Sequence, residues 1–422
     1  MRFPMKSGAR RGQVVVLVAA SMIALLGMMA MSLDGGALMA DRRHAQAAAD
    51  AAALAAGADL YYNYWAENGT DPNLTGQNCA LAVAAAHGYT NDGVNSKVTV
   101  NIPPKSGDHV NQAGYAEVII DSYQQRGFSN LFGSDKLTIS TRAVAVGAPI
   151  AANVGILVLN PAAKSALNAN GSGRLTVSGT PVIVDSNDSL AAIAGGGGFL
   201  KAMEFDITGG WGTTGTGGTF DGPIYTGRRP TADPLVYLPD PDKSTMPVQS
   251  KKQVHFTSGV EIWGPGVYKG GISVTSTGSL TLLPGIYYMD NGGFQFTGAG
   301  SLSAVGVMIY NDPGNGNADA ISISGQGSIV MTPPTSGIYS GLALFQRRDS
   351  TVPVSVSGGS GANITGTFYA AGANLTVTGG SGAANLGSQY ISDTLNLQGD
   401  ANMTISWNPA GVAKKRMISL VE

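Results

Sequence analysis

The residues able to do chemistry in the C-terminal half are few. Between Gly259 and Ala410 there are seven acids: Glu261, Asp290, Asp312, Asp319, Asp349, Asp393 and Asp400. Cleaving a glycosidic bond takes two carboxylates on one surface, and lyase chemistry takes a base beside a metal or an arginine. Read along the chain, the acids show no pair within a run and none at the coil period. Most stand beside Gly or Asn, where Asp serves turns. Only proximity in the fold could assemble a pair, so a polysaccharide-active enzyme ranks last of three functional readings. His44, His87, His109 and His255 fall in different segments without metal-ligand spacing. Cys79 is the sole cysteine, which excludes an intramolecular disulfide and a multi-thiol zinc site. On its Ala-rich stretch it reads as a small apolar residue. Gly195 to Gly198 lacks the Lys-Ser/Thr of a phosphate-cradling loop. The expectation is no catalytic, cofactor-binding or metal-ligating residue, and no cofactor.

Composition narrows the class further. The chain has 422 residues, room for two or three domains. Its net charge of −2 gives no bias toward nucleic acid or an acidic substrate. Only 12% of residues are charged and 60 are glycine, so solubility comes from Ser, Thr, Asn and backbone. That favours an extracytoplasmic β-rich protein over a cytosolic enzyme.

The elements that would position any site begin at the N-terminus. Arg2, Lys6, Arg10 and Arg11 precede Val14 to Leu33, a run without a charge broken only by Ser21, Gly27 and Ser32. At 1.5 Å per residue such a run spans roughly 30 Å, the hydrocarbon thickness of a bilayer. Basic residues on the near side place the N-terminus in the cytoplasm and the rest outside. Ala30-Met31-Ser32 has the small-x-small form of a signal cleavage site, which keeps a secreted or surface adhesin as the second reading. Against cleavage, the run exceeds a usual signal core and continues as helix: residues 34–66 are Ala-rich, with Leu38, Ala45, Ala48, Ala52 and Ala55 forming a small-residue seam at helical spacing. Tyr61, Tyr62, Tyr64 and Trp65, just beyond, would pack this stalk on its base, with an interaction patch as the alternative.

Residues 67–150 read as a small α+β module. It has a short helix at 79–87 and strands at 97–102, 115–120 and 137–146, each alternating apolar and polar residues. From 151 to 410 the chain becomes short alternating runs separated by Gly, Asn, Ser and Pro. Pro265-Gly-Val-Tyr268 returns as Pro284-Gly-Ile-Tyr287. Gly278-Ser-Leu-Thr281 returns as Gly300-Ser-Leu-Ser303 and as Gly327-Ser-Ile-Val330. Repeats near 20–27 residues with glycine corners fit a right-handed parallel β-helix, with a β-sandwich as the alternative. Thr213 to Pro241, poor in pattern, reads as a long loop between early and late coils, and residues 411–422 as a tail.

Residues 12–56 resemble the N-terminal segment of TadG-like proteins of Flp (tight adherence) pilus assembly. The likeness rests on Gly12 opening the apolar helix, Asp34-Gly35, Arg42-Arg43, Gln46 and the Ala49-Asp50-Ala51-Ala52-Ala53-Leu54-Ala55 run. Leu17 stands where a type IV pilin would carry Glu, so processing into a major pilin is not implied. The resemblance implies a bacterial inner-membrane protein, single-pass through Val14–Leu33, with a non-enzymatic assembly role and other pilus-assembly or envelope proteins as partners. Some TadG-like proteins carry a domain whose Asp-x-Ser-x-Ser loop binds Mg²⁺. Asp185-Ser-Asn-Asp-Ser189 departs from that pattern at Asn187, and the helix that should follow stops at the glycine run, so these residues read as a turn.

Overall fold

The computed structural model describes residues 11–422 except 128–129, 131–134, 216, 315, 360, 381–383 and 400–401. Arg2, Lys6, Arg10 and Asp400 lie outside the described residues. The chain forms two compact units, Met1–Pro149 with Met417–Glu422, and Ile150–Arg416.

In the first unit the apolar run and the Ala-rich stretch are one unbroken helix, α1 (Arg11–Glu67), 57 residues long and about 85 Å from end to end. Its second half buries Ala45, Ala48, Ala49, Ala52, Ala53, Ala56 and Leu60. These small side chains pack against Ala80 and Ala84 of helix α2 (Thr75–Ala86) and against Ala116, Val118, Ile120, Ala143 and Ala145 of a sheet. The expected seam is present but wider: Leu38 and Ala55 are only half-buried. The sheet holds β1 (Ser96–Asn101), β2 (Tyr115–Gln124) and β3 (Leu137–Ala151), antiparallel from β1 to β2 and from β2 to β3. Its fourth member is the strand Lys414–Leu420, next to β3. Residues 411–422, expected as a tail, therefore contribute a sheet strand.

Alanine and glycine here set how closely the helix approaches the sheet. A Cβ built on Gly147 would lie 1.7 Å from the Gly57 carbonyl oxygen, so the two backbones nearly touch. Gly147→Ala is expected to push α1 off β3 and cost about 1–3 kcal/mol, the usual penalty of overpacking. Thermal melting of the full chain checks this; an unchanged midpoint would remove close packing as the reason for glycine there.

The second unit is a parallel β-solenoid of about 11 turns. Each complete coil has three faces, and glycine turns the corners. Coils 1 to 8 carry one strand on each face, whereas in coils 9 and 10 one long strand, Thr367–Gly379 or Gln389–Gly399, covers the first two faces. In chain order the complete coils are coil 1 (156–178), coil 2 (182–201), coil 3 (205–221), coil 4 (248–263), coil 5 (266–282), coil 6 (285–304), coil 7 (307–331), coil 8 (342–364), coil 9 (367–386) and coil 10 (389–406). Inward columns of Val, Ile, Leu, Phe and Ala fill one continuous core. The 22- and 27-residue repeats are true ladder registers, since Leu280 pairs with Leu302 and Leu302 with Ile329. The Pro-Gly-aromatic phrases are not in register, because Tyr268 pairs with Met289 rather than Tyr287. They share a corner device instead. Tyr268 and Tyr287 donate their hydroxyls to the Gly264 and Leu283 carbonyls at 2.7 and 2.9 Å, each four residues back.

Coils do not stack in chain order. Coil 10 pairs with coil 1 on all three faces: Tyr390 opposes Ile156, Leu395 opposes Leu167, and Met403 opposes Leu175. The spatial order is thus 4-5-6-7-8-9-10-1-2-3. The chain enters in the interior of the stack, winds outward to Ile224–Tyr225, and must return to the opposite end. Residues 226–247 make that return as a strap along the first face. The loop expected from Thr213 begins only after Tyr225, because Trp211–Thr214 and Thr219–Asp221 are strands of coil 3.

The strap runs over a ladder of outward aromatic rings. Tyr288, Tyr310, Phe345 and Tyr369 sit in adjacent coils, with successive ring centroids 4.9, 5.1 and 5.1 Å apart. Leu235 and Leu238 of the strap are buried with them. The first face is consequently apolar on both sides, while the second and third faces turn Ser, Thr and Asn outward.

Candidate functional site

The most distinctive chemical feature of the first unit is the first half of α1. Val14 to Leu33 presents its large side chains on every side, with Leu17, Ile23 and Met31 each more than two-thirds exposed. No described part of the chain covers this surface. Water is a poor solvent for it, and the helix is long and apolar enough to cross a membrane.

Just beyond that run, polar residues of α1 meet the sheet. Asp41 accepts from Ser122 Oγ at 3.1 Å and from the Tyr89 hydroxyl at 3.4 Å. His44 Nδ1 lies 2.9 Å from the same hydroxyl. Burial and the neighbouring Asp41 charge push the Tyr89 phenol up to about 12. Gln46 Nε2 donates to the Arg142 carbonyl at 2.9 Å, tying α1 to β3. Tyr64, at the far end of α1, lies against the bare Cα positions of Gly69 and Gly114, whose positive φ and missing Cβ make its slot. Tyr62 is 70% exposed, so the expected aromatic packing is carried by part of the group.

The buried ion pair of this unit joins β2, β3 and the chain's last residue. Arg142 Nε lies 2.6 Å from Glu117, whose side chain is fully buried, and Arg142 also pairs with Glu422. Asn101 Nδ2 and the Lys105 amide donate to Glu117 at 2.7 and 3.1 Å, and Ser106 Oγ donates as well. Burial alone would raise the Glu117 carboxyl, but the bonds from Ser106, Arg142, Lys105 and Asn101 hold it down at about 2. Its folded value lies below the unfolded value of about 4.3, so its stabilisation is complete above about pH 4.3 and is lost as pH falls toward 2. Amide-exchange protection in β2 and β3 is expected to fall across that window, and the fall to be blunted in Glu117→Gln. Equal acid sensitivity in the two proteins would assign the effect elsewhere.

In the solenoid the acids are distributed as follows. Asp290 and Asp312 stand opposite one another on neighbouring first-face strands, which corrects the expectation that no acid recurs at the coil period. Their 22-residue separation equals that of Gly278 and Gly300, and that interval was the available signal. The pair is not left as two free carboxylates. Lys243 of the strap sits 2.9 Å from Asp290 and 3.8 Å from Asp312. Asp312 also binds Arg347 and accepts from the Tyr288 hydroxyl at 2.7 Å. Asp349 pairs with Arg347 at 2.6 Å, and both oxygens of Asp393 accept from Asn160 at 3.0 Å. Asp319 closes a corner turn, and Glu261 lies on the end coil.

Arg348 carries no site signature in the sequence beyond its place in the Arg347-Arg348 doublet, yet it anchors the strap. Its Nη2 donates to the Leu235 and Leu238 carbonyls of the strap at 2.9 and 2.6 Å, and its Nε to the Tyr369 hydroxyl at 3.0 Å. Tyr369 in turn donates to Asp233 of the strap at 2.5 Å. Further along, the Thr231 amide donates to buried Asp185 at 2.9 Å. Burial raises the Asp185 carboxyl, and that one hydrogen bond offsets it only in part. Residues 185–189 therefore make a corner and a strap anchor, and a strand, Ala192–Gly195, follows where a metal-loop helix would stand.

The histidines stay apart: His109 stacks on Tyr115 at 4.4 Å and His255 contacts Ser273 at 3.1 Å. Among the described residues no three His, Cys, Asp or Glu side chains are grouped to hold a metal ion.

Residues 12–59 match the family of Flp pilus-assembly TadE/G-like proteins. The matched stretch is the first four-fifths of α1, the exposed apolar run together with most of the Ala seam. The N-terminus thus carries a TadE/G-like domain over residues 12–59, and the C-terminal region is a β-solenoid. Comparison with curated proteins gives no match, and neither does comparison with solved structures.

Proposed function

We propose that this chain is a membrane-anchored, non-enzymatic structural component of a bacterial Flp (tight adherence) pilus-assembly system, holding the solenoid outside the cytoplasm. The observation that carries the reading is the coincidence of the family match over residues 12–59 with an apolar helix that no described residue covers. Val14–Leu33 would lie in the inner membrane in a single pass, with the basic leader in the cytoplasm. Pilus-assembly or envelope proteins would be the partners, and nothing in the composition favours nucleic acid. The charged clusters of the solenoid support a structural role, because their groups are engaged in holding the strap.

Fractionation of the native host with mass spectrometry of the N-terminus tests this. The expected result is an intact N-terminus in the inner-membrane fraction, with the solenoid digested only by protease added to the periplasmic side. A mature chain beginning near Leu33 in the medium would replace the anchored component with a released adhesin. Hydrolysis of polysaccharide by the purified chain would overturn the non-enzymatic part.

A further inference from the structure

We infer that the exposed edge of coil 4 is a docking surface for a second copy of this chain, two solenoids joining end to end about a two-fold axis. At this end all three edges are open. Val248–Ser250, Val254–Phe256 and Val260–Trp263 pair only with coil 5 among the described residues. At the opposite end Ile224–Tyr225 already covers the first face of coil 3. Unpaired N–H and C=O rows of this kind template strand addition unless something blunts them.

The side chains of coil 4 depart from the rest of the stack. In the outward column of the third face, Ile262 is followed by Thr281, Ser303, Val330 and Asn363, so an apolar residue opens a largely polar ladder. Val260 is 75% exposed, Ile262 63% and Val248 52%. The apolar core itself reaches this end uncapped, where Phe256 and Trp263 form an edge-on pair 5.5 Å apart and only partly buried. End repeats of a solenoid ordinarily need a polar outer face for solubility.

Three features select a second copy as the occupant. A two-fold axis through the middle of Val254–Phe256 sets that strand antiparallel to itself and brings Val248–Ser250 opposite Val260–Trp263 of the second copy. Val248 then meets the exposed valine and isoleucine. The charges are self-complementary as well. Glu261, the acid of this coil, stands in the core column opposite Leu280, and the same axis turns the Lys251–Lys252 corner toward it. Finally, the molecule already contains one seam between coils far apart in the chain, coil 10 on coil 1, held by strand pairing and side chains.

The test uses the full-length chain in detergent micelles, in a Cys79→Ser background, with His255→Cys placed at the axis. Opposed antiparallel residues lie about 4.5–5.5 Å apart at Cα, within disulfide range. The expected result is a disulfide-linked dimer on mild oxidation. It should fall about tenfold or more with Ile262→Asp, since an aspartate would be desolvated in the contact. Glu261→Lys should also reduce it, and adding Lys252→Glu should restore it. Ile262 is exposed, so its replacement leaves the fold intact. No dimer from His255→Cys, equal crosslinking from Thr214→Cys at the opposite end, or indifference to Ile262→Asp would each overturn the proposal. Because crosslinking reads coil 4 directly, it stands or falls separately from the localisation of the anchor.

Discussion

Truncation of Phe345 to alanine is expected to destabilise the solenoid by about 3–5 kcal/mol, the range for a fully buried phenylalanine. Phe345 points away from the solenoid core, and an outward residue on a bare sheet would cost under about 0.5 kcal/mol. Here the side chain is fully buried because the strap lies over it. Tyr310 and Tyr369 flank it edge-on at 5.1 Å, and the Arg348 guanidinium stands 5.2 Å over its ring. Denaturant unfolding of the full chain, followed by a probe in the solenoid, separates the two values. A loss under 1 kcal/mol would mean that the strap does not cover this ladder in solution.

Replacing Arg348 with alanine is expected to free the strap, with a loss of about 2–4 kcal/mol. The side chain is a quarter exposed, so the figure sits below that for a fully buried ion pair. Two strap carbonyls would lose their donor, and Tyr369 and Asp240 would lose a cation. The sharper readout is tryptic cleavage at Arg228, Arg229 and Lys243, which should accelerate while the coils stay resistant. Lysine should not rescue the site, because one ammonium cannot reproduce the planar fork that spans two carbonyls and a phenol. Unaltered protease resistance in Arg348→Ala would show that the aromatic ladder holds the strap without this residue.

Parts of this architecture are legible in local sequence. The absence of charge between Val14 and Leu33 specifies a helix that must be covered by something apolar. The Gly-Ser-Leu phrases give the third-face register because an inward leucine must meet an inward leucine. The coil order is not legible, since the inward columns of Val, Ile and Leu are interchangeable. Nothing local to Leu395 or Leu167 says that they will meet. The strap's cover left a faint trace. Leu342-Ala-Leu-Phe-Gln346 does not alternate, as a strand buried on both faces should not. The Asp290 and Asp312 pair was visible only as a 22-residue interval, and the neutralising Lys243 comes from a segment with no repeat of its own.

The seam between coils 10 and 1 has a consequence for how the molecule is made. Synthesis proceeds from coil 1, yet the neighbour that closes its open edge is the last coil to emerge, more than 200 residues later. Contacts so distant along the chain form late and slowly. A chain that lacks coil 10 therefore keeps this edge of coil 1 unpaired on all three faces. Closure of that seam makes the edge of the first coil depend on the tenth, so the middle of the stack is sealed only when both ends of this stretch of chain are folded.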